Sequence, residues 1–134
     1  MDITELLGKT LAEVRGKVGD KEIRFVTESG ESYRLYHSYK CCESVQVEDI
    51  CGDLRDLTGS PIIQAEEATS NENPEGVRPK DYRYGFRDSF TWTFYKLGTA
   101  KGSVTIRWRG ASNSHYSESV DFGKVARLDA DSIV

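Results

Sequence analysis

Three cysteines, three prolines, two histidines and one methionine are all that the chain has of these residues, and each scarcity excludes something. Cys41, Cys42 and Cys51 are odd in number and two of them are adjacent. Adjacent cysteines rarely bridge each other, and an oxidised framework prefers even counts. All three are therefore read as thiols in a reducing cytosol. No apolar run approaches the roughly 20 residues of a membrane-spanning helix. The opening stretch, MDITELLGKT, lacks a basic segment followed by an apolar one, so no secretory signal is expected. None of the strings G-x-S-x-G, G-x-x-x-x-G-K-[ST], G-x-G-x-x-G or H-E-x-x-H occurs. The net charge of −4 is too small for a DNA mimic and has the wrong sign for a general nucleic-acid binder.

What the chain does have is aromatic side chains and a two-residue beat. Seven Tyr, five Phe and two Trp bury enough area to give 134 residues a core, and that length fits a single domain spanning 1–134. Alternation of apolar and polar residues, punctuated by Gly, Ser and Asn, predicts strands over Thr10–Val18, Ile23–Thr27, Ser32–His37, around Val45 and Val47, and over Pro61–Glu67, Phe90–Leu97, Ser103–Arg109 and Ser117–Phe122. Gly19-Asp20 reads as a turn, and Glu28-Ser29-Gly30-Glu31 as a hairpin loop. Ile3–Leu7 suits one helical turn. Asp53–Thr58 suits a short helix with Asp53 as its cap. Residues 68–88 read as a long surface loop, and the tail from Gly123 as partly helical or frayed. With no amphipathic crossover helix, the fold class is mostly β, α+β at most. The expected architecture is a curved antiparallel sheet, either barrel-like or a two-layer sandwich.

Charge collects by segment. Residues 43–67 hold Glu43, Glu48, Asp49, Asp53, Asp56, Glu66 and Glu67 against Arg55 alone, whereas residues 89–110 hold Lys96, Lys101, Arg107 and Arg109 and no acid. The plain reading is that the two segments compensate each other or are solvated. A sharper reading comes from the last hairpin. Setting Trp92 opposite Trp108 and Phe94 opposite Ile106 brings Thr93, Tyr95, Thr105, Arg107 and Arg109 onto the other face. Hydroxyls, a phenol and two guanidinium groups suit a planar anionic ligand, with Lys101 closing over it from the loop. The candidate ligand-binding residues are thus Thr93, Tyr95, Lys101, Arg107 and Arg109.

Secondary candidates are His37, Cys42 and Glu43. A Cys42 thiolate would need His37 or His115 as its base. Glu43 with Glu48 would form a carboxylate pair if a cleft brought them together. Adjacent Cys41 and Cys42 lack a second knuckle for zinc. Asp49, Asp53 and Asp56 miss the alternate spacing of a calcium loop. Neither a metal nor a cofactor is expected.

Seven strings, LLGKTL at 6–11, YRLYH at 33–37, CCESVQVEDICGDL at 41–54, LTGSPI at 57–62, AEE at 65–67, TWTFYKL at 91–97 and KGSVTIRW at 101–108, occur together in a way that resembles an uncharacterised family of small proteins, a domain of unknown function met mainly in bacteriophage genomes. The resemblance spans most of residues 6–122. It implies a viral or prophage origin and a location in the host cytoplasm, and it carries no activity to particular residues. The expected function is that of a non-enzymatic interaction protein that blocks a host factor such as a defence component. A binder that sequesters a small anionic ligand such as a nucleotide signal is the alternative, and a cysteine- or carboxylate-based enzyme ranks last. A host protein or a small anion is the expected partner, with membrane and nucleic acid disfavoured.

Overall fold

Apolar residues at every second position need a second layer to cover them, and two four-stranded antiparallel sheets supply it. A computed structural model describes residues 2–39, 43–71, 89–112 and 117–125. Its strands are β1 (Leu11–Arg15), β2 (Glu22–Thr27), β3 (Ser32–Tyr36), β4 (Ser44–Cys51), β5 (Gln64–Ser70), β6 (Ser89–Thr99), β7 (Gly102–Ser112) and β8 (Asp121–Val125). The first sheet runs β1-β2-β3-β8 and the second β4-β7-β6-β5. Among the described residues the sheets do not close into a barrel. A mostly β fold is what the alternation implied, and of the two architectures left open it is the two-layer one that forms.

The inner faces form one core. The first sheet contributes Leu11, Ile23, Phe25, Tyr33, Leu35 and Phe122, and the second Val45, Val47, Tyr95, Leu97, Val104, Ile106 and Trp108. Phe122 stacks on Tyr33, with centroids 5.5 Å apart and planes 5° from parallel. The turn between β1 and β2 joins the layers, since Gly19 N donates to Val47 O and Val47 N donates to Asp20 O, both at 2.8 Å. These bonds reach β4 where its pairing with β7 slips between Val47 and Asp49.

Both helical expectations are met by 3₁₀ turns. Ile3–Leu6 is capped by Asp2, and Leu54–Leu57 by Asp53, whose carboxylate accepts from Arg55 N at 2.9 Å. Three boundaries move. Strand β5 runs on through Ser70, which shortens the expected 68–88 loop; its remainder, 72–88, lies outside the described residues. The last strand begins at Asp121 and not Ser117. Residues 123–125 belong to it and are not a frayed tail. It pairs with β3, so Phe122 faces the core from the first sheet.

The largest correction is register. Trp92 lies opposite Arg109, Thr93 opposite Trp108, Phe94 opposite Arg107 and Tyr95 opposite Ile106. Strand β6 continues past Gly98 and β7 begins at Gly102, so that Thr99 pairs with Gly102 across only two residues. That tight turn dictates the register, and a one-residue slip sends every side chain to the opposite face. The tryptophans therefore lie on opposite sides of the sheet. Trp108 points into the core. Trp92 is equally buried but on the outer face, with the guanidinium carbons of Arg107 and Arg109 at 5.3 and 5.9 Å from its ring.

Candidate functional site

The register decides what becomes of the expected anion face. Thr93 and Tyr95 point inward and are buried, whereas Arg107 and Arg109 point outward. The Tyr95 hydroxyl donates to Glu67 Oε1 at 2.5 Å. Burial, reinforced by the Glu67 carboxylate, pushes its pKa far above the ordinary 10.0. Arg107 is held by Glu48, with Nη2 2.5 Å and Nε 2.7 Å from Oε1, and lies 3.8 Å from Asp49. Arg109 covers Phe90 and Trp92. Lys101 sits at the hairpin tip and donates to Thr58 O at 2.7 Å. The five residues do not converge. The acidic and basic segments instead compensate each other across neighbouring strands, β4 beside β7 and β5 beside β6, as in Glu66 opposite Lys96.

Two of the three secondary candidates do meet. His37 Nε2 lies 2.8 Å from Glu43 Oε2, and Nδ1 lies 2.6 Å from Ser119 O. The Glu43 side chain is fully buried and that of His37 is 6% exposed. A carbonyl only accepts, so Nδ1 carries a hydrogen. The Nε2–Oε2 contact then shares one proton, as imidazolium with carboxylate or as imidazole with carboxylic acid. Both ring nitrogens are occupied, which leaves none to deprotonate a thiol. Cys42 lies outside the described residues, as does His115, and Cys51 is exposed. Glu48 is held by Arg107, so it does not pair with Glu43. A second buried carboxylate, Glu118, accepts from Thr91 Oγ1 at 2.8 Å and Ser112 Oγ at 2.5 Å. Among the described residues no group of three or more His, Cys, Asp or Glu is placed to hold a metal.

A row of three arginines crosses the outer face of the first sheet. Arg15 stands directly opposite Arg24, and Arg24 directly opposite Arg34. Residues so paired have Cβ atoms about 5 Å apart, and like charges there repel. Two carboxylates offset the three guanidinium groups. Glu13 forks onto Arg15, at 2.7 Å to Nε and 3.0 Å to Nη2, and raises its pKa above the ordinary value. Glu22 divides its oxygens, Oε2 to Arg24 and Oε1 to Arg34, both at 3.2 Å. The Arg34 guanidinium also lies over the Tyr36 ring, 3.9 Å from its centroid. Beside Arg24 an open depression of about 470 Å³ is lined by Arg15, Gly16, Asp20, Lys21, Glu22 and Arg24.

Composition by segment directs attention to 89–110 and passes over these arginines, because acids are interspersed with them along the chain. A signal was present all the same. Pairing outward from Gly19-Asp20 gives 15 with 24, and the hairpin loop after Thr27 returns the chain so that 34 falls close to 24.

Among the described residues no helix is long and apolar enough to cross a membrane. Neither a curated protein nor a solved structure matches the chain. Residues 4–122 match the model of a family described as a domain of unknown function, DUF7448, and the chain belongs to that family.

Proposed function

We propose, for this member of a family without an assigned activity, that the protein acts by binding and not by catalysis, and that its recognition surface is the outer face of the first sheet. The observation that carries this reading is the row Arg15–Arg24–Arg34, three guanidinium groups on adjacent strands that share two carboxylates. A rigid sheet holding cations this close is preorganised for an anion, and arginine forks suit carboxylate and phosphate oxygens. The occupied nitrogens of His37 argue on the same side, since they weaken the cysteine-and-histidine alternative.

The sequence resemblance supports a phage or prophage origin and a host cytoplasmic location. In that setting the protein would occupy a host factor, such as a defence component, that presents an anionic group to this face. The test is capture from host lysate with the wild-type chain and with a charge-reversed Arg15→Glu/Arg34→Glu chain. The wild type retains a partner that the variant loses, and retention weakens as salt is raised. Identical partners on both chains would overturn the choice of face.

A further inference from the structure

Guanidinium groups and carboxylates alternate along the arginine row up to one gap. Arg34 and Arg24 are bridged by Glu22, and Arg15 is clasped by Glu13 of its own strand. No described carboxylate bridges Arg24 and Arg15, although they face each other across neighbouring strands. The depression opens beside this gap.

Its lining is short of acceptors. Glu22 is spent on Arg24 and Arg34, and Asp20 accepts from the Lys17 amide at 3.0 Å, which ties it into its own turn. Arg24 Nε is buried and has no hydrogen-bond partner among the described residues. A buried charged donor left idle costs free energy unless something outside the chain engages it. Lys21, exposed on the rim, makes no ion pair with a described residue. Glu13 holds Arg15 by Nε and Nη2, which leaves Nη1 for another acceptor. Gly16 lines the depression by its backbone alone, because a side chain here would point inward at the buried Ile23. The Gly16 φ is +149°, and a Cβ there would lie 2.1 Å from Ile23 Cδ1.

We infer that the gap between Arg15 and Arg24, with Lys21 at its rim, is a binding site for a phosphate group. The inference rests on the reading of this face as the recognition surface and gives it a ligand chemistry. A phosphate dianion brings acceptors in several directions and more charge than a carboxylate, which suits three cations approaching from two strands and a turn. Bound there, it supplies the bridge the row lacks. A small shift of the Arg24 side chain would bring its idle Nε–H to the phosphate while Nη2 stays with Glu22. Free phosphate and a phosphate monoester share this chemistry.

The test is a titration of the full chain, at low ionic strength, with inorganic phosphate and separately with adenosine 5′-monophosphate. It is followed through the backbone amide resonances of Gly16, Asp20 and Lys21 and by calorimetry. Saturable shifts at these amides are expected. Arg15→Ala and Lys21→Ala, both exposed positions that leave the core intact, each weaken binding about tenfold, the worth of one charge-assisted hydrogen bond. Arg55→Ala, an exposed arginine that does not line the depression, changes nothing. Tighter binding of the monophosphate assigns the group to a larger molecule, and equal binding assigns it to free phosphate. Shifts that fail to saturate, or equal affinity in the Arg15→Ala and Lys21→Ala chains, overturn the site. If phosphate fails while lysate capture still depends on Arg15 and Arg34, the ligand chemistry is wrong and the face is right. If both fail, the face is wrong as well.

Discussion

Glu43 and His37 show how much one buried contact can hold. The carboxylate is fully covered, and the imidazole that faces it is pinned from its other side by Ser119 O. Removing one member of a buried pair leaves the other desolvated. His37→Ala is expected to cost about 3 kcal/mol in urea unfolding. Glu43→Gln keeps a donor for a neutral imidazole and is expected to cost only about 1 kcal/mol; equal losses would refute the shared proton. Tyr95 gives a pH signature. Burial raises its phenol above the ordinary 10.0, so the native chain keeps a proton that the unfolded chain releases. This contribution is fully present below that value and is lost as pH rises beyond it. Melting curves should show wild-type stability falling more steeply above pH 10.0 than that of Tyr95→Phe, which itself loses about 1–2 kcal/mol at neutral pH. Parallel slopes would count against the buried phenol.

At the scale of elements, two glycines set close approaches. Gly16 ends β1 against Ile23. Gly110 in β7 lies under the segment that leads to β8, where an added Cβ would meet Glu118 O at 2.6 Å. Gly110→Ala must push that segment away from Thr91 and Ser112, the two hydroxyls that Glu118 accepts from. A loss of about 2 kcal/mol is expected, together with faster hydrogen exchange at Glu118 and Ser119. Unchanged protection there would mean that the segment is not seated on β7. Elements are also where the reading from sequence did best and worst. Alternation located all eight strands to within a few residues. It missed the pairing of the last hairpin because matching tryptophan with tryptophan looked like matching core with core. A two-residue turn and the covering of Trp92 by Arg107 and Arg109 decided otherwise.

For the whole molecule, one core draws on both sheets, and the β1–β2 turn hydrogen-bonds directly to β4. The sheets should therefore unfold together. Trp92 and Trp108 report from opposite faces of the second sheet, so their fluorescence can be read one at a time. Chains carrying Trp92→Phe and Trp108→Phe should each give a fluorescence midpoint that coincides with that of their own far-ultraviolet dichroism. Separated midpoints would mean that the layers are independently stable.

The sequence by itself determined the class of fold, because a two-residue beat commits side chains to alternate faces and one of those faces must be covered, by a second layer or by closure into a barrel. It also singled out His37, as a base for Cys42, and Glu43, as a carboxylate to pair with Glu48, though not as partners of each other. Tertiary structure alone decided which face each residue took in the last hairpin, since register depends on the turn and on partners remote in sequence. It alone joined His37 to Glu43 and Ser119, and it alone aligned Arg15, Arg24 and Arg34. Charge summed along a segment carries no record of which strands lie side by side, and a row of cations exists only across them.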